Sequence, residues 1–298
     1  MSAAPDRSIL VRNVAIGVAL VAVVVVLVVF WRQGRLGPRE TTQDEASVAL
    51  DAETGSPAER PSPEPAADLV PSGGPAAAWV ELSGAPPVWP EDLSAVQSCE
   101  EINQEVSRVC AALDVRAPAL RGAGGACALL EQLAGELAAN PPDLSSELRS
   151  YDTMLGNVFH LFRVAGRERM KLLQRALVEE EIAEPAALAL YRWAIHHRRC
   201  GRGKQKLDTA ARYAYAGFLF NTMGGQAYLR RRSPRVEALA CFYALQVLDG
   251  AIRDGHNPQG LDPRPEISRC RELALSQPLL FSEKYAEELD EMASRWKR

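Results

Sequence analysis

Hydrophobic positions along this chain fall into three regimes. From Val14 to Trp31, eighteen consecutive residues carry no charge and run almost unbroken through Val, Ala, Leu and Phe. From Glu40 to Asp92 the chain is rich in Pro, Ala, Ser, Gly and Glu and poor in large apolar residues. From about residue 93 onward the apolar residues return at spacings of three and four, the period of a helix with one buried face. Each regime predicts a different kind of element.

The first predicts a single transmembrane helix over 14–31, preceded by a short tail, 1–13. At 1.5 Å of rise per residue the run spans roughly 27 Å, close to the hydrocarbon thickness of a bilayer. Lipid offers backbone groups no partner, so even a Val-rich segment is forced into a helix. Arg12 closes it on one side, and Trp31, Arg32, Arg35 and Arg39 close it on the other. A cleaved signal peptide fits less well: its apolar region is shorter, and Phe30-Trp31-Arg32-Gln33 lacks the small residues of a cleavage site.

The second regime, within a linker placed at 32–92, predicts a disordered tether. Over 40–92 eleven acidic residues face only Arg60, a net charge of about −10. Such a stretch buries too little apolar surface to offset its ordering entropy. Trp79, Val80, Leu82 and Trp89 are the exceptions, and are expected to mark where the tether meets the folded body.

The third regime, 93–298, predicts an all-α domain: an antiparallel bundle or short α-solenoid of about nine helices. Leu93, Val96, Cys99, Ile102, Val106, Val109 and Leu113 form one stripe, in a helix opened by Trp89-Pro90-Glu91-Asp92. A second helix carries Cys127, Leu130, Leu133 and Leu137. Leu144, Leu148, Tyr151, Leu155, Val158 and Phe162 step 4-3-4-3-4, the seam of one longer helix. Further helices are expected over about 167–181, 184–200, 208–231 (with a possible kink at Gly224-Gly225), 234–254, and two at the C-terminus. Ser233-Pro234 and Asp208 read as start signals. The helix from Pro234 is apolar on two sides and belongs at the centre.

Charge changes the picture only locally. The chain totals −4, of which the first 39 residues supply about +4 and the tether about −10, leaving the helical domain near +2. That balance excludes a polycation or polyanion. Two basic clusters stand out: Arg198, Arg199, Arg202 and Lys204, and Arg230, Arg231 and Arg232. A straight intervening helix would hold them roughly 33 Å apart, as two solvated loops at its opposite ends rather than one basic surface, so nucleic acid is not an expected partner.

All six cysteines lie beyond the apolar run, which suits an oxidising compartment. A hairpin of the first two helices brings Cys110 level with Cys127, a candidate disulfide; Cys200 with Cys270 is a second candidate, and Cys241 reads as a core thiol. His196, His197 and Cys200 share a helical segment but lack the further ligands that zinc requires. Glu179, Glu180, Glu181 and Glu184 read as a solvated acidic face. No catalytic, cofactor or metal motif occurs, so none is assigned. The resulting expectation is a membrane-anchored helical module that binds a protein or peptide at the cell envelope. Its domain is placed on the exported side, although the Lys/Arg balance around the span points slightly to the cytoplasm. The rival readings are a membrane-tethered hydrolase of envelope polymer and a passive spacer.

Overall fold

The computed structural model describes residues 74–169, 180–230 and 233–297. The expected membrane helix at 14–31, the linker up to residue 73, most of the helix expected over 167–181, and Arg231 and Arg232 lie outside the described residues. Among the described residues all regular structure is helical, with no strand. No helix there is long and apolar enough to cross a membrane. The α-helices are α1 (Pro75–Ser83), α2 (Cys99–Arg116), α3 (Ala126–Ala139), α4 (Tyr151–Val158), α5 (His160–Ala165), α6 (Ala183–Cys200), α7 (Thr209–Asn221), α8 (Met223–Arg230), α9 (Pro234–Arg253), α10 (Arg264–Ser276) and α11 (Ser282–Trp296).

Among the described residues, the eleven α-helices, where about nine helices were expected for 93–298, arise from local chemistry. α1 falls inside the stretch expected to be linker. Its Ala78, Trp79 and Leu82 are buried, and Trp79 meets Phe281 edge-on at 4.9 Å. Trp89 adds edge contacts to Phe281 and Tyr285, so the folded body begins well before residue 93. Two expected helices are each divided. The 144–162 seam does not form one helix: Pro141, Pro142 and an Asp143 turn around Ser145 and Ser146 hold the chain non-helical until Ser150 caps α4. Leu144 and Phe162 pack on the core while Leu148, Tyr151 and Phe159 are exposed. The 208–231 helix breaks at Thr222, whose hydroxyl donates to the Phe218 carbonyl and accepts from the Gly225 amide. A Cβ at Gly225 would lie 1.8 Å from the Phe218 carbonyl oxygen, so only glycine fits that corner.

The first long helix starts at Cys99 rather than near Glu91. Ser98 and Glu101 form a reciprocal capping box. The preceding loop is held by polar contacts: Ser94 donates to Asp92 Oδ1 from its amide and its hydroxyl. Arg192 of α6 donates to the Leu93 carbonyl, and His196 Nε2 to the Ser94 carbonyl.

α6 and α9 are the central helices, the former packed by α1, α2, α7 and α9, the latter by α6, α7, α8, α10 and α11. This is where the doubly apolar pattern of 234–253 had placed the core. Three disulfides join neighbouring helices. Cys110–Cys127 links α2 to α3. Cys200 is bonded to Cys99 at the start of α2, not to Cys270. Cys241 is not a free core thiol; it is bonded to Cys270, joining α9 to α10. Both corrections share a cause: each cysteine was judged by its own local setting, a helix end or an apolar helix, whereas the pairing is set by which helices touch, α2 against α6 and α10 against α9.

Two buried polar groups stitch the core. Glu184, expected on a solvated face, is buried and accepts the Leu280 and Phe281 amides ahead of α11 at 2.7 and 3.1 Å. His160 is fully buried, with Nε2 3.0 Å from the Tyr215 hydroxyl. That hydroxyl donates toward the Leu137 and Asn140 carbonyls, so the imidazole is the donor to it.

Candidate functional site

Five segments meet at one cleft of about 470 Å³: the loop 91–94, α6, α7, the C-terminal half of α9, and α11. That volume lies within the range of small-ligand sites. Each segment arrives for a stated local reason. The loop is pinned to α6 by Arg192 and His196 as described. Asp208 caps α7 by accepting the Ala211 amide at 3.1 Å, which aligns Arg212 with the cleft. α9 and α11 run side by side, with Phe242 against Tyr285 at one level and Asp249 bonded to Trp296 Nε1 at another.

Charge in the cleft is divided along its length. Glu288 of α11 and Asp92 and Glu91 of the loop supply carboxylates toward one end; Arg253 of α9 and Arg295 of α11, which meet at Asp249, supply guanidinium groups toward the other, where the exposed Asp254 also lines the wall. Glu288 and Arg295 are two helical turns apart on one face, roughly 10 Å. The two arginines share a single buried carboxylate, Asp249 Oδ2, at 3.2 and 3.1 Å, and so retain spare donors. Arg212 lies in the wall with its donors committed to the Asp208 and Ile195 carbonyls and the Thr209 hydroxyl. No carboxylate is within ion-pair distance of it among the described residues, and burial lowers its pKa.

Two further lining groups have no structural duty in view. Gln246 Nε2 is buried without an acceptor. Gly250, inside α9, faces open space: a Cβ there would meet nothing within 4 Å. Ionisation is perturbed around the cleft. The hydroxyl and amide of Ser94 hold Asp92 below the usual carboxylate range. Burial, reinforced by Glu291, raises Glu288. Burial pushes the Tyr191 phenol up to about 12.

The residues singled out from sequence lie elsewhere. Arg198 and Arg199 are exposed at the end of α6, Arg202 and Lys204 in the following loop, and Arg230 at the end of α8; none lines the cleft. The His196, His197, Cys200 trio is committed to structural partners. Cys200 is in its disulfide and His196 donates to Ser94. His197 accepts the Leu207 amide at Nδ1, which directs its Nε2–H to Glu131 at 3.1 Å. Glu288, one of several acidic residues along α11, is half-buried in the cleft. The cleft left no compact motif in the chain, because its contributors span residues 91 to 295; the one local hint was an unexplained glycine inside an apolar helix. Comparison with protein families, curated proteins and solved structures gave no match.

Proposed function

We propose that this chain is a membrane-anchored ligand-binding module whose helical domain works on the exported side of the membrane. The 14–31 segment is its peg, and the acidic stretch that follows gives the domain reach while restricting its search to the membrane surface. The observation that carries the reading is the cleft between α6, α7, α9, α11 and the loop 91–94: ligand-sized, lined by charges of both signs, and built on four helices and a loop pinned to α6. The pairing of all six cysteines supports the exported side, since cytosolic thiols are kept reduced. Protease treatment of intact and permeabilised cells tests the placement. The domain should be clipped in intact cells once any outer barrier is opened, and protection until the inner membrane is breached would reject it.

A second reading, a hydrolase of envelope polymer, is favoured by one observation. Two carboxylates in the cleft, Asp92 and Glu288, have their ionisation shifted in opposite directions, as an acid–base pair requires. Turnover of isolated envelope polymer that is abolished by Glu288→Gln would support it over pure binding.

A further inference from the structure

We propose that the cleft holds a short peptide with both ends free, about three residues long, its ammonium group at Glu288 and Asp92 and its carboxylate at Arg253 and Arg295. This deepens the binding reading and rests on it.

The separation of the charged groups sets the length of the occupant. Glu288 to Arg295 along α11, and Gln246 to Arg253 along α9, are each seven residues, or roughly 10 Å at helical rise. The two helices run in parallel, as the Phe242–Tyr285 and Asp249–Trp296 contacts establish. The acidic and basic ends of the cleft are therefore about 10 Å apart. An extended chain advances about 3.3–3.6 Å per residue, so three residues span that distance. A volume of about 470 Å³ accommodates a tripeptide.

The pattern of satisfied and unsatisfied groups points the same way. At the acidic end, Asp92 spends only Oδ1 on Ser94, and Glu288 accepts a hydrogen bond from the Trp89 side chain but forms no ion pair within 4 Å among the described residues, so both keep acceptor capacity for an ammonium. At the basic end two partly exposed guanidinium groups share one carboxylate oxygen and keep donors for another carboxylate; Asp254, which also lines this end, is not within ion-pair distance of either. Between the ends, buried Gln246 Nε2 lacks the acceptor that a peptide carbonyl would provide. Gly250 completes the case. Its helical position has no steric reason for glycine, and an Ala there would gain helix propensity, yet any side chain would project into the cleft. A simple anion would leave the carboxylate end unmatched, and a simple cation would leave the arginine pair unmatched.

The test is isothermal titration of the purified, oxidised full-length chain in detergent with trialanine, N-acetyl-trialanine and trialanine amide. Saturable binding of trialanine is expected, weakened about tenfold or more by blocking either end, and weakened as salt screens the end charges. Gly250→Phe should abolish binding with circular dichroism and melting temperature retained. Glu288→Gln, an isosteric change, should weaken trialanine and its amide while leaving the weak binding of the acetylated form unchanged. Absence of trialanine binding, or equal binding of the blocked peptides, overturns the inference. If Gly250→Phe fails to fold, the Glu288→Gln pattern alone decides. Failure here leaves the membrane-module reading standing, because protease accessibility tests that separately.

Discussion

Lowering the pH from 7.5 to 5 should destabilise this domain by about 2 kcal/mol through His160 alone. The ring is completely excluded from solvent. It is bounded by the Tyr215 hydroxyl at Nε2, by Arg163 3.5 Å from Nδ1, and by the Phe218 ring. Burial first, and then the Arg163 charge, lower its pKa from 6.5 to about 4. Because the folded value is depressed, the unfolded chain takes up a proton that the folded chain refuses. Stability is intact above pH 6.5 and is lost progressively down to pH 4. The full loss is about 3 kcal/mol, and about two-thirds of it has accrued by pH 5, before most carboxylates titrate. Urea unfolding of the oxidised chain at pH 7.5, 6.5, 5.5 and 5.0, set against His160→Gln, isolates the effect. Glutamine keeps an N–H donor for Tyr215 and cannot be protonated in this range. The difference in stability between wild type and variant should shrink by about 2 kcal/mol from pH 7.5 to 5.0. Parallel curves would refute the assignment of His160 as a buried neutral imidazole.

Other perturbations test the remaining stitches. Closing a loop of about a hundred residues, the Cys99–Cys200 bridge should contribute roughly 4–5 kcal/mol on the chain-entropy account, against about 3 kcal/mol for Cys110–Cys127; denaturation of the paired Cys→Ala double variants checks the order. Gly225→Ala should destabilise by about 3 kcal/mol or more, since a Cβ would strike the Phe218 carbonyl, whereas Gly250→Ala should be neutral or stabilise by up to about 1 kcal/mol. Thermal melts of the two variants give the contrast directly. Glu184→Ala strips two buried amides of their acceptor and should cost about 2–4 kcal/mol, read as a fall in the urea midpoint.

The contrast between what sequence discloses and what it conceals follows from the range of the interactions involved. Ser98, Asp208 and the Ser233-Pro234 step act on backbone groups a few residues away. The ends of α7 and α9 were therefore legible from Asp208 and Ser233-Pro234, while the Ser98–Glu101 box that starts α2 was overlooked although it too is local. The central place of α9 was legible because apolar residues cover both of its faces. Cys99 and Cys200, 101 residues apart, meet only because α2 lies along α6, which no local pattern encodes. Glu184 illustrates the opposite failure: an acidic run suggests solvent, but its carboxylate is consumed by the amides preceding α11. The cleft is the extreme case. Asp92, Arg212, Gly250 and Glu288 are ordinary residues in their own segments and become a site only when five segments converge.

The proposed function requires this domain to be an oxidised, membrane-held body. The most direct measurement is to alkylate cells at the moment of lysis, recover the full-length chain from the carbonate-washed membrane fraction, and map its peptides without reductant. The expected result is three crosslinked pairs, Cys99–Cys200, Cys110–Cys127 and Cys241–Cys270, with no alkylated thiol. Recovery of the chain in the wash, or six alkylated cysteines, would contradict it.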